Sequence, residues 1–454
     1  MCHSFHSNCG SGYKKAVNPP SKSRRRLLIG LGLLGLTGAL FQPAQKLLEV
    51  RRGTKTWTEK WQRSPRVKNE PGNLPALEHA NRLPARIEND LTLKQADSPW
   101  IIDHDVMIPA GVTLTIEAGS EILSGRKHYL TVEGRILAKG TADNPVRLSA
   151  YTSAEVDKWA GILIINTRTP SIFQHVVFEN SYYGARLVHA VATWTTCSFR
   201  NVREVCSAFK SETVFKDCLI DYKDYPGQAN INVLKFQKSS VRVEDCSIHC
   251  PDSDYKVDGI DADYLEKGVF RGNRLYGGIC PGADAIDVGK GSRNILVENN
   301  IITDFVDKGV SVGEGANVVI NNNIIARCAM GVGIKDSAQA KITRSTFYGN
   351  DFAINCYEKV PGQGGGHAEI DRCIIANSQE APFKIDSKSS ILFTNTLCDQ
   401  QLLPGAENRQ GTPEFEDIER NLFNCSGIVW ADGTTASCRL SGASIGASIH
   451  PVDE

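Results

Sequence analysis

Between residues 241 and 356 the chain alternates apolar and polar positions in short runs that recur with one layout. Each unit opens on a β-branched run, continues with a small or amide residue and an apolar pair, and closes on another alternating run after a polar turn. Alternation at every second position predicts β-strands, as in the Val-Ser-Val-Gly run at 310–313. The residues that precede the apolar pairs are Cys246, Asn273, Asn300, Asn323 and Ser345.

These anchor residues repeat along the chain with a period near 22 and occasional insertions. The frame extends back to His175, Cys197 and Cys218 and on to Cys373 and Thr396. Short strands joined by sharp turns cannot bury an apolar face alone, but they can when they are wound into stacked coils. Successive coils then lie about 4.8 Å apart. The sequence therefore predicts an all-β fold, a single-stranded right-handed parallel β-helix, a solenoid.

The first 41 residues have the pattern of an export signal. Leu27 to Phe41 form an apolar run that follows Arg24, Arg25 and Arg26, and the run is short for a membrane span. The segment resembles the twin-arginine signal of exported bacterial proteins. We expect 1–41 to be a signal sequence or a membrane anchor, and 42–86, which lack sustained periodicity, to be a linker. Retention at the membrane through 27–41 stays open, since no clear cleavage site follows.

The stretch from Trp100 to Ala150, followed by Trp159-Ala-Gly-Ile-Leu-Ile, is similar to the opening coils of exported bacterial β-helix proteins of the pectate-lyase-like superfamily. That resemblance implies a solenoid over 87–398. It also implies a C-terminal cap over 399–454, which covers the open end of the stack. It implies nothing about activity, because one fold hosts many functions.

Composition and charge narrow the picture further. The chain has 454 residues with formal net charge +0, which gives no reason to expect nucleic acid as a partner. Of its 14 cysteines, those on the anchor positions and Cys356 are expected to be buried. Cys425 and Cys438 are expected to form a disulfide after export.

Alignment of the second strand of each coil places unusual residues in vertical columns. Because equivalent residues of stacked coils become neighbours, five aspartates gather on two adjacent coils, with a lysine one coil away on either side. The columns are Arg186, Lys235, Asp261, Asp287, Ser311, Gly333 and Asn355; Gln237, Asp263, Gly289, Gly313 and Lys335; and Asn232, Asp258, Asp284, Lys308 and Met330.

Clustered carboxylates repel one another unless they share a cation or a proton, so the cluster suggests two kinds of chemistry. Their oxygens suit Ca²⁺, which could neutralise a uronate while a lysine removes its C5 proton in a β-elimination. Alternatively, two carboxylates could act as acid and base, or as acid and nucleophile, on a glycosidic bond. Asp residues at coil turns are also common as caps of backbone N–H groups, without any function.

The pattern resembles pectate-lyase-like enzymes, in which coil aspartates bind calcium and a nearby basic residue is the base. The resemblance implies that Asp261, Asp263, Asp284 and Asp287 bind Ca²⁺ and that Lys308 or Lys235 acts as base. Asp287 is also a candidate catalytic residue, and Asp258, Arg186 and Lys335 are candidates for substrate binding. The Gly-His-Gly and Arg-Ile-Lys motifs of polygalacturonase-type hydrolases are absent, as is the Asp-Pro-His-Glu motif of alginate epimerases.

The sequence thus predicts an exported protein, periplasmic, on the cell surface or anchored facing outward, that acts on or binds polysaccharide. As an enzyme it would be a polysaccharide lyase or a glycosidase. The alternative is a non-catalytic envelope scaffold or carbohydrate-binding protein of a polysaccharide assembly or attachment system.

Overall fold

The computed structural model describes residues 80–125, 127–151, 158–222, 231–250, 255–278, 280, 282–418, 422–440 and 443–449. The predicted signal or anchor segment, 1–41, and the linker as far as residue 79 lie outside these described residues. Among the residues that are described, no helix is long and apolar enough to cross a membrane.

The chain is an all-β, right-handed parallel solenoid of about 13 turns, as predicted. Strands of successive coils pair in parallel and in register, and they form three faces. A single 3-10 turn, Gln95–Asp97, interrupts the strands of the first coils. The first face is a sheet of 14 strands: Leu91–Leu93, Thr113–Ile116, Arg135–Lys139, Ser171–Gln174, Val191–Thr195, Glu212–Lys216, Ser240–Glu244, Lys267–Arg271, Ile295–Glu298, Asn317–Asn321, Gln339–Thr343, His367–Asp371, Ser390–Thr394 and Gly405–Ala406.

The second and third faces belong to one 25-stranded sheet, because two long strands, Val176–Val188 and Ser198–Phe209, contribute to both faces. The other strands of the second face are Asn81–Arg82, Trp100–Ile102, Glu121–Ser124, Val146–Ala150, Leu219–Asp221, Ser247–Cys250, Arg274–Gly277, Ile301–Thr303, Ile324–Ala326, Thr346–Tyr348, Ile374–Ala376, Leu397–Cys398 and Arg409–Gln410. The other strands of the third face are Val106–Ile108, Tyr129–Val132, Gly161–Ile165, Ile231–Gln237, Val257–Asp263, Asp284–Gly289, Lys308–Val312, Met330–Lys335, Phe352–Tyr357 and Ala381–Ile385.

The core runs along the axis of the solenoid and is built by the inward half of each alternating strand. Ile286 and Val288 are fully buried, whereas Asp287 between them points outward and is half-buried. Between residues 173 and 215 the core is aromatic: the Trp194 ring stacks on Phe173 at 5.5 Å and on Phe215 at 4.4 Å. Stacked aromatic side chains therefore fill this part of the core, and the rest is filled mainly by aliphatic side chains with single aromatic ones such as Phe270.

The anchor residues form a buried polar ladder at the bend between the first and second faces. The backbone N–H of Asn273 donates to Asn300 Oδ1 at 2.9 Å, and that of Asn300 donates to Asn323 Oδ1 at 2.9 Å. Each of these amides also donates to a backbone carbonyl of the preceding coil. The ladder satisfies backbone groups that the bend would otherwise leave unpaired in the core.

The frame slips by one residue at its N-terminal end. The predicted anchor His175 pairs through its backbone with Thr195 and has a φ of 47°, while Val177 pairs with Ser198. Val176 therefore occupies the anchor position, and it is 1% exposed. Val176 packs beside the aromatic part of the core. Because it has no hydrogen-bonding side chain, the feature that defines the other anchor positions is absent here.

The five cysteines expected to be buried, Cys197, Cys218, Cys246, Cys356 and Cys373, are buried, and Cys425 forms the predicted disulfide with Cys438. The tail adds antiparallel strands at Thr412–Asp417, Leu422–Val429 and Thr435–Ala436, and a pair at Arg439–Leu440 and Ala443–Ser444. Its described contacts lie on the outer surface of the second face, where Phe423, Ile428 and Ile445 cover outward apolar side chains. The strands after residue 411 thus lie beside the second face, while Leu403 packs into the main core at the end of the stack, and the C-terminal cap over 399–454 stays a prediction.

Candidate functional site

The predicted columns stand side by side on the outer surface of the third face. Lys235 pairs with Asp261, Asp261 with Asp287, and Asp287 with Ser311, each on the next coil. We call this the central column, and Ser207 also belongs to it, between Arg186 and Lys235. The entry column holds Asn232, Asp258, Asp284, Lys308 and Met330, and the exit column holds Gln237, Asp263, Gly289, Gly313 and Lys335. The predicted register is confirmed from Lys235 onward, whereas the prediction omitted the coil that carries Ser207.

Five consecutive strands bring most of the predicted site residues together. Arg186 lies further along the central column, three coils from Asp261, where its guanidinium stacks 4.2 Å from the centre of the Tyr183 ring. The predicted residues on the five strands are Lys235, Asp258, Asp261, Asp263, Asp284, Asp287, Lys308 and Lys335.

Most aspartates of the cluster are paired with a lysine. Asp261 accepts from Lys235 at 3.1 Å, and Asp263 accepts from Lys290 at 2.7 Å. Asp258 accepts from Lys256 at 2.9 Å. Since three carboxylates already have ammonium partners within hydrogen-bonding distance, their repulsion is largely cancelled without a shared metal ion.

The innermost pair joins Asp284 to Lys308, whose Nζ also bonds Asp307 at 2.5 Å. Asp284 is 2% exposed, and burial raises its pKa to about 7 although Lys308 acts in the opposite direction. Burial opposes the charge of Lys308, but the carboxylates of Asp284 and Asp307 outweigh it and raise the lysine pKa above its usual range. An ammonium held in this way is a poor base, which argues against the predicted role of Lys308.

Asp261 and Asp287, on adjacent coils of the central column, differ in their surroundings. Burial raises the pKa of Asp261 to about 6, against the lowering effect of Lys235, and Asn232 donates a side-chain hydrogen bond to it. Asp287 is half-buried, and within the described ranges no side chain forms a hydrogen bond or an ion pair with it. Asp287 is therefore the carboxylate of this cluster that a bound molecule can reach as a free acceptor.

Lys335 closes the far side of the site. It is 7% exposed, and its Nζ donates to Ser311 Oγ at 2.5 Å. No carboxylate in the part of the chain that the structure describes forms an ion pair with it. Burial lowers the pKa of Lys335, although Asp287 acts in the opposite direction. Buried lysines with a lowered pKa are the lysines that act as bases at neutral pH.

Two glycines allow the side chains of Lys308 and Lys335 to lie flat against the third face. A Cβ at Gly313 would come within 2.9 Å of Lys335 Cε, and a Cβ at Gly333 would come within 2.7 Å of Lys308 Cδ. Any larger residue would push the lysine stems away from the surface. The missing side chains at these positions therefore bring the two amino groups to the carboxylates and to Ser311.

Several residues of the site were not predicted from the sequence. Lys256, Lys290 and Asp307 lie just outside the aligned strands, so their side chains reach the columns from the turns. Glu204 stands in the entry column beside Asn232, in a coil that the alignment left out, and burial raises its pKa. Lys256, Lys290 and Asp307 could have been predicted from the sequence, because each is a charged residue one position before or after an aligned strand.

The predicted calcium ligands do not fit a calcium site in this arrangement. Ca²⁺ needs six to eight oxygens, whereas Asp261, Asp263 and Asp284 each present an oxygen to a lysine. Within the described ranges no group of three or more His, Cys, Asp or Glu side chains is arranged to hold a metal ion. Calcium binding stays a prediction, and the lysine pairs do not favour it.

We expect removal of divalent cations to leave Tm unchanged, because ammonium groups already compensate the carboxylates. The measurement is the melting temperature in EDTA and in millimolar CaCl₂. A Tm that rises with calcium concentration, and that loses this rise in Asp261→Asn, would restore the metal site.

Comparison with known proteins agrees with the fold. Residues 232–361 match the family model described as a right-handed β-helix region, and residues 85–171 match the model of a pectate-lyase-like β-helix domain. A search of curated protein sequences gave no match.

Solved structures similar to the chain include enzymes and a phage protein. The periplasmic alginate epimerase AlgG is 13% identical with a TM-score of 0.35, over 65% of this chain and 76% of that one. The A-module of the Azotobacter vinelandii mannuronan C-5 epimerase AlgE4 is 14% identical with a TM-score of 0.39, over 68% and 87%. Tailspike protein 3 of bacteriophage CBA120 is 14% identical with a TM-score of 0.41, over 81% and 65%.

The two family models cover much of the stack, from its opening coils to the coils that carry the site. The parallel register joins these regions into one continuous solenoid. The chain is therefore a right-handed parallel β-helix protein, and its residues 85–171 are similar to the pectate-lyase-like β-helix domain.

Proposed function

We propose that this chain hydrolyses glycosidic bonds of a polysaccharide that lies along the third face. The observation that carries the proposal is the Asp261–Asp287 pair on adjacent coils. Glycoside hydrolysis needs one carboxyl group that is protonated and one carboxylate that is free. Asp261, with its pKa raised to about 6, suits the acid, and Asp287, without a lysine partner among the described residues, suits the free carboxylate.

The separation of the two residues favours a retaining mechanism. Their backbones are one strand spacing apart, ~4.8 Å, and side chains that leave the sheet in parallel would hold their carboxyl groups near the separation of about 5–5.5 Å found in retaining enzymes. In the first step Asp287 attacks the anomeric carbon while Asp261 gives its proton to the glycosidic oxygen, and the C–O bond breaks. In the second step Asp261 takes a proton from water, which attacks the same carbon and releases Asp287.

The lysines and Arg186 would hold the substrate on either side of the reacting bond. Lys335 lies on the far side of Asp287, and Lys235 and Arg186 lie on the other side of Asp261 along the central column. All three are donors suited to sugar hydroxyls and to acid groups. A chain that follows the axis of the solenoid would therefore meet donors before and after the carboxylates.

Lys335 supports a second candidate reaction, β-elimination. A buried lysine with a lowered pKa and no ion pair among the described residues has the properties of a base that removes the C5 proton of a uronate. Elimination would leave a double bond in the product, whereas hydrolysis would not. The two reactions therefore differ in a directly measurable product.

A panel of uronate-containing and neutral polysaccharides tests the proposal. New reducing ends without ultraviolet absorbance are the expected result, and absorbance of an unsaturated product would favour Lys335 as the base instead. If the protein binds a polysaccharide and cleaves none, the alternative of a non-catalytic scaffold or binding protein replaces the enzyme.

We expect kcat/KM to fall as the pH rises above about 6, tenfold per unit, because Asp261 must be protonated to act as the acid. The raised pKa also lets the folded protein hold a proton that the unfolded chain releases, so stability should decline as the pH rises from about 4 to 6. A substrate with a good leaving group should rescue Asp261→Asn, since it needs no acid. Absence of this rescue would contradict the assignment.

Export is part of the proposal, since polysaccharides are met outside the cytoplasm. It is supported by the apolar run 27–41 after three arginines. Fusion of residues 1–45 to a reporter that is active only outside the cytoplasm tests it, with Arg24→Lys/Arg25→Lys as the test of the twin-arginine route. Cleavage or retention of the segment is then read from the size and the membrane association of the fusion.

A further inference from the structure

A shallow cavity of about 460 Å³ lies at the corner between the third and first faces. It begins one residue after Asp263, where the strand of the exit column ends, so it borders the candidate site. We call it the corner pocket, and its lining residues are Tyr264, Leu265, Glu266, Gly291, Arg293 and Asn294.

Tyr264 holds a position that a tyrosine rarely takes. Its φ is 54°, in the left-handed region, and the ring is about half exposed at 49%. The equivalent turn residues of the neighbouring coils, Lys238 and Lys290, are also left-handed. The turn imposes this conformation, and glycine or asparagine would adopt it with less strain. The turn does not need the aromatic side chain, whose ring is left half exposed at the edge of the corner pocket.

The polar side chains of the corner pocket are exposed and available. Neither Glu266 nor Arg293 forms a side-chain hydrogen bond or an ion pair within the described ranges. Asn294 donates to the Glu266 carbonyl at 3.0 Å, which fixes its amide at the edge of the pocket. An aromatic face surrounded by an acceptor and a fork of donors can stack on the apolar face of a pyranose and bond its hydroxyls.

The charge at this corner is mainly positive. The Lys238 ammonium lies 5.3 Å from the centre of the Tyr264 ring, and the Arg293 guanidinium can bind a carboxylate through two parallel hydrogen bonds. Glu266 is the one acidic side chain in the lining. A sugar that carries an acid group therefore suits the corner pocket better than a neutral sugar.

We propose that the corner pocket is a second carbohydrate-binding site, which takes one pyranose unit of an acidic polysaccharide by stacking on Tyr264. This inference rests on the proposed function for the class of ligand, but not for the reaction. The corner pocket lies outside the three columns, so it binds a strand of polysaccharide beside the cleaved segment and raises affinity for long chains. Short oligosaccharides that fill only the third face do not use it.

The test is affinity electrophoresis of Tyr264→Asn in gels that contain polygalacturonate or alginate, together with cleavage of a soluble oligosaccharide. Asparagine suits the left-handed turn, so the variant should be at least as stable as the wild type. We expect Tyr264→Asn to need about tenfold more polysaccharide in the gel for the same retardation as the wild type. Cleavage of the oligosaccharide should be unchanged. Glu314→Asn is the matched control, since Glu314 also has a left-handed φ, of 52°, and lies outside the corner pocket.

The outcomes separate the two proposals. Equal retardation of wild type and Tyr264→Asn, or no retardation of the wild type by either polysaccharide, would overturn the corner pocket. Retardation that depends on Tyr264 without any cleavage would support it and would overturn the proposed hydrolysis instead. If Glu314→Asn lost as much retardation as Tyr264→Asn, the corner pocket would also be contradicted, because the loss would then not be specific to Tyr264.

Discussion

Replacement of Asp287 by asparagine should lower kcat by about 10³-fold, the largest effect on activity that we expect from one substitution. Asparagine keeps the shape of the side chain but can neither attack the anomeric carbon nor carry the negative charge. Asp287 is half-buried and has no ion pair among the described residues, so the fold should not depend on its charge. Initial rates with a polysaccharide from the panel, with Tm as the check of folding, measure the effect.

Asp263→Asn is the matched control for this prediction. Asp263 lies on the same coil as Asp261, but in the exit column and paired with Lys290 at 2.7 Å. We expect its removal to change kcat little. If Asp263→Asn abolished activity while Asp287→Asn kept it, the reacting pair would be misassigned, although the third face would still be the site.

Replacement of Asn300 by alanine should lower the free energy of unfolding by about 3 kcal/mol. The Asn300 side chain accepts from the backbone and the side chain of Asn273 and donates to the Phe270 carbonyl. It is 0% exposed, so alanine would leave a buried N–H and a buried carbonyl without partners and would open a cavity where water has no easy access. Denaturation by urea, followed by tryptophan fluorescence, measures the loss.

Asn317→Ala serves as the comparison for Asn300. Asn317 is the exposed first residue of a strand of the first face, and its replacement should change stability by no more than about 0.5 kcal/mol. A similar loss in both variants would mean that the ladder contributes no more than an ordinary surface position. The bend between the faces would then be stabilised by backbone pairing alone.

The arrangement of the lysines changes the chemistry that the aspartates suggest. A cluster of carboxylates read in isolation predicts a metal ion. Lys256 and Lys290 reach it from the turns and neutralise Asp258 and Asp263, so the cluster becomes a set of ion pairs with Asp287 left open. With Asp258 and Asp263 paired to lysines, the cluster suits the proposed acid and nucleophile roles better than calcium binding.

The alternation of apolar and polar residues is enough to predict the coils and the register of their strands. A strand has a side-chain period of two, so a slip of one residue would turn every apolar side chain outward, and the pattern around Asp261 and Asp287 permits only one alignment. The predicted alignment is wrong at His175, because Val176 takes the anchor position. Val176 is apolar, so it lacks the small or amide side chain by which the other anchor residues are recognised. Most residues of the three columns are therefore predictable from the sequence, whereas Ser207 and Glu204 belong to a coil that the predicted alignment omits.

The burial, pairing and pKa of those residues depend on packing that the strand pattern does not describe. Whether a carboxylate is buried, paired or open depends on side chains that arrive from turns and neighbouring coils, and strand periodicity does not describe these. The pKa of Asp261, the pairing of Lys308 with Asp284 and Asp307, and the position of the tail on the second face all arise in this way. Register is a local property of alternating strands, whereas burial and charge are properties of everything packed around them.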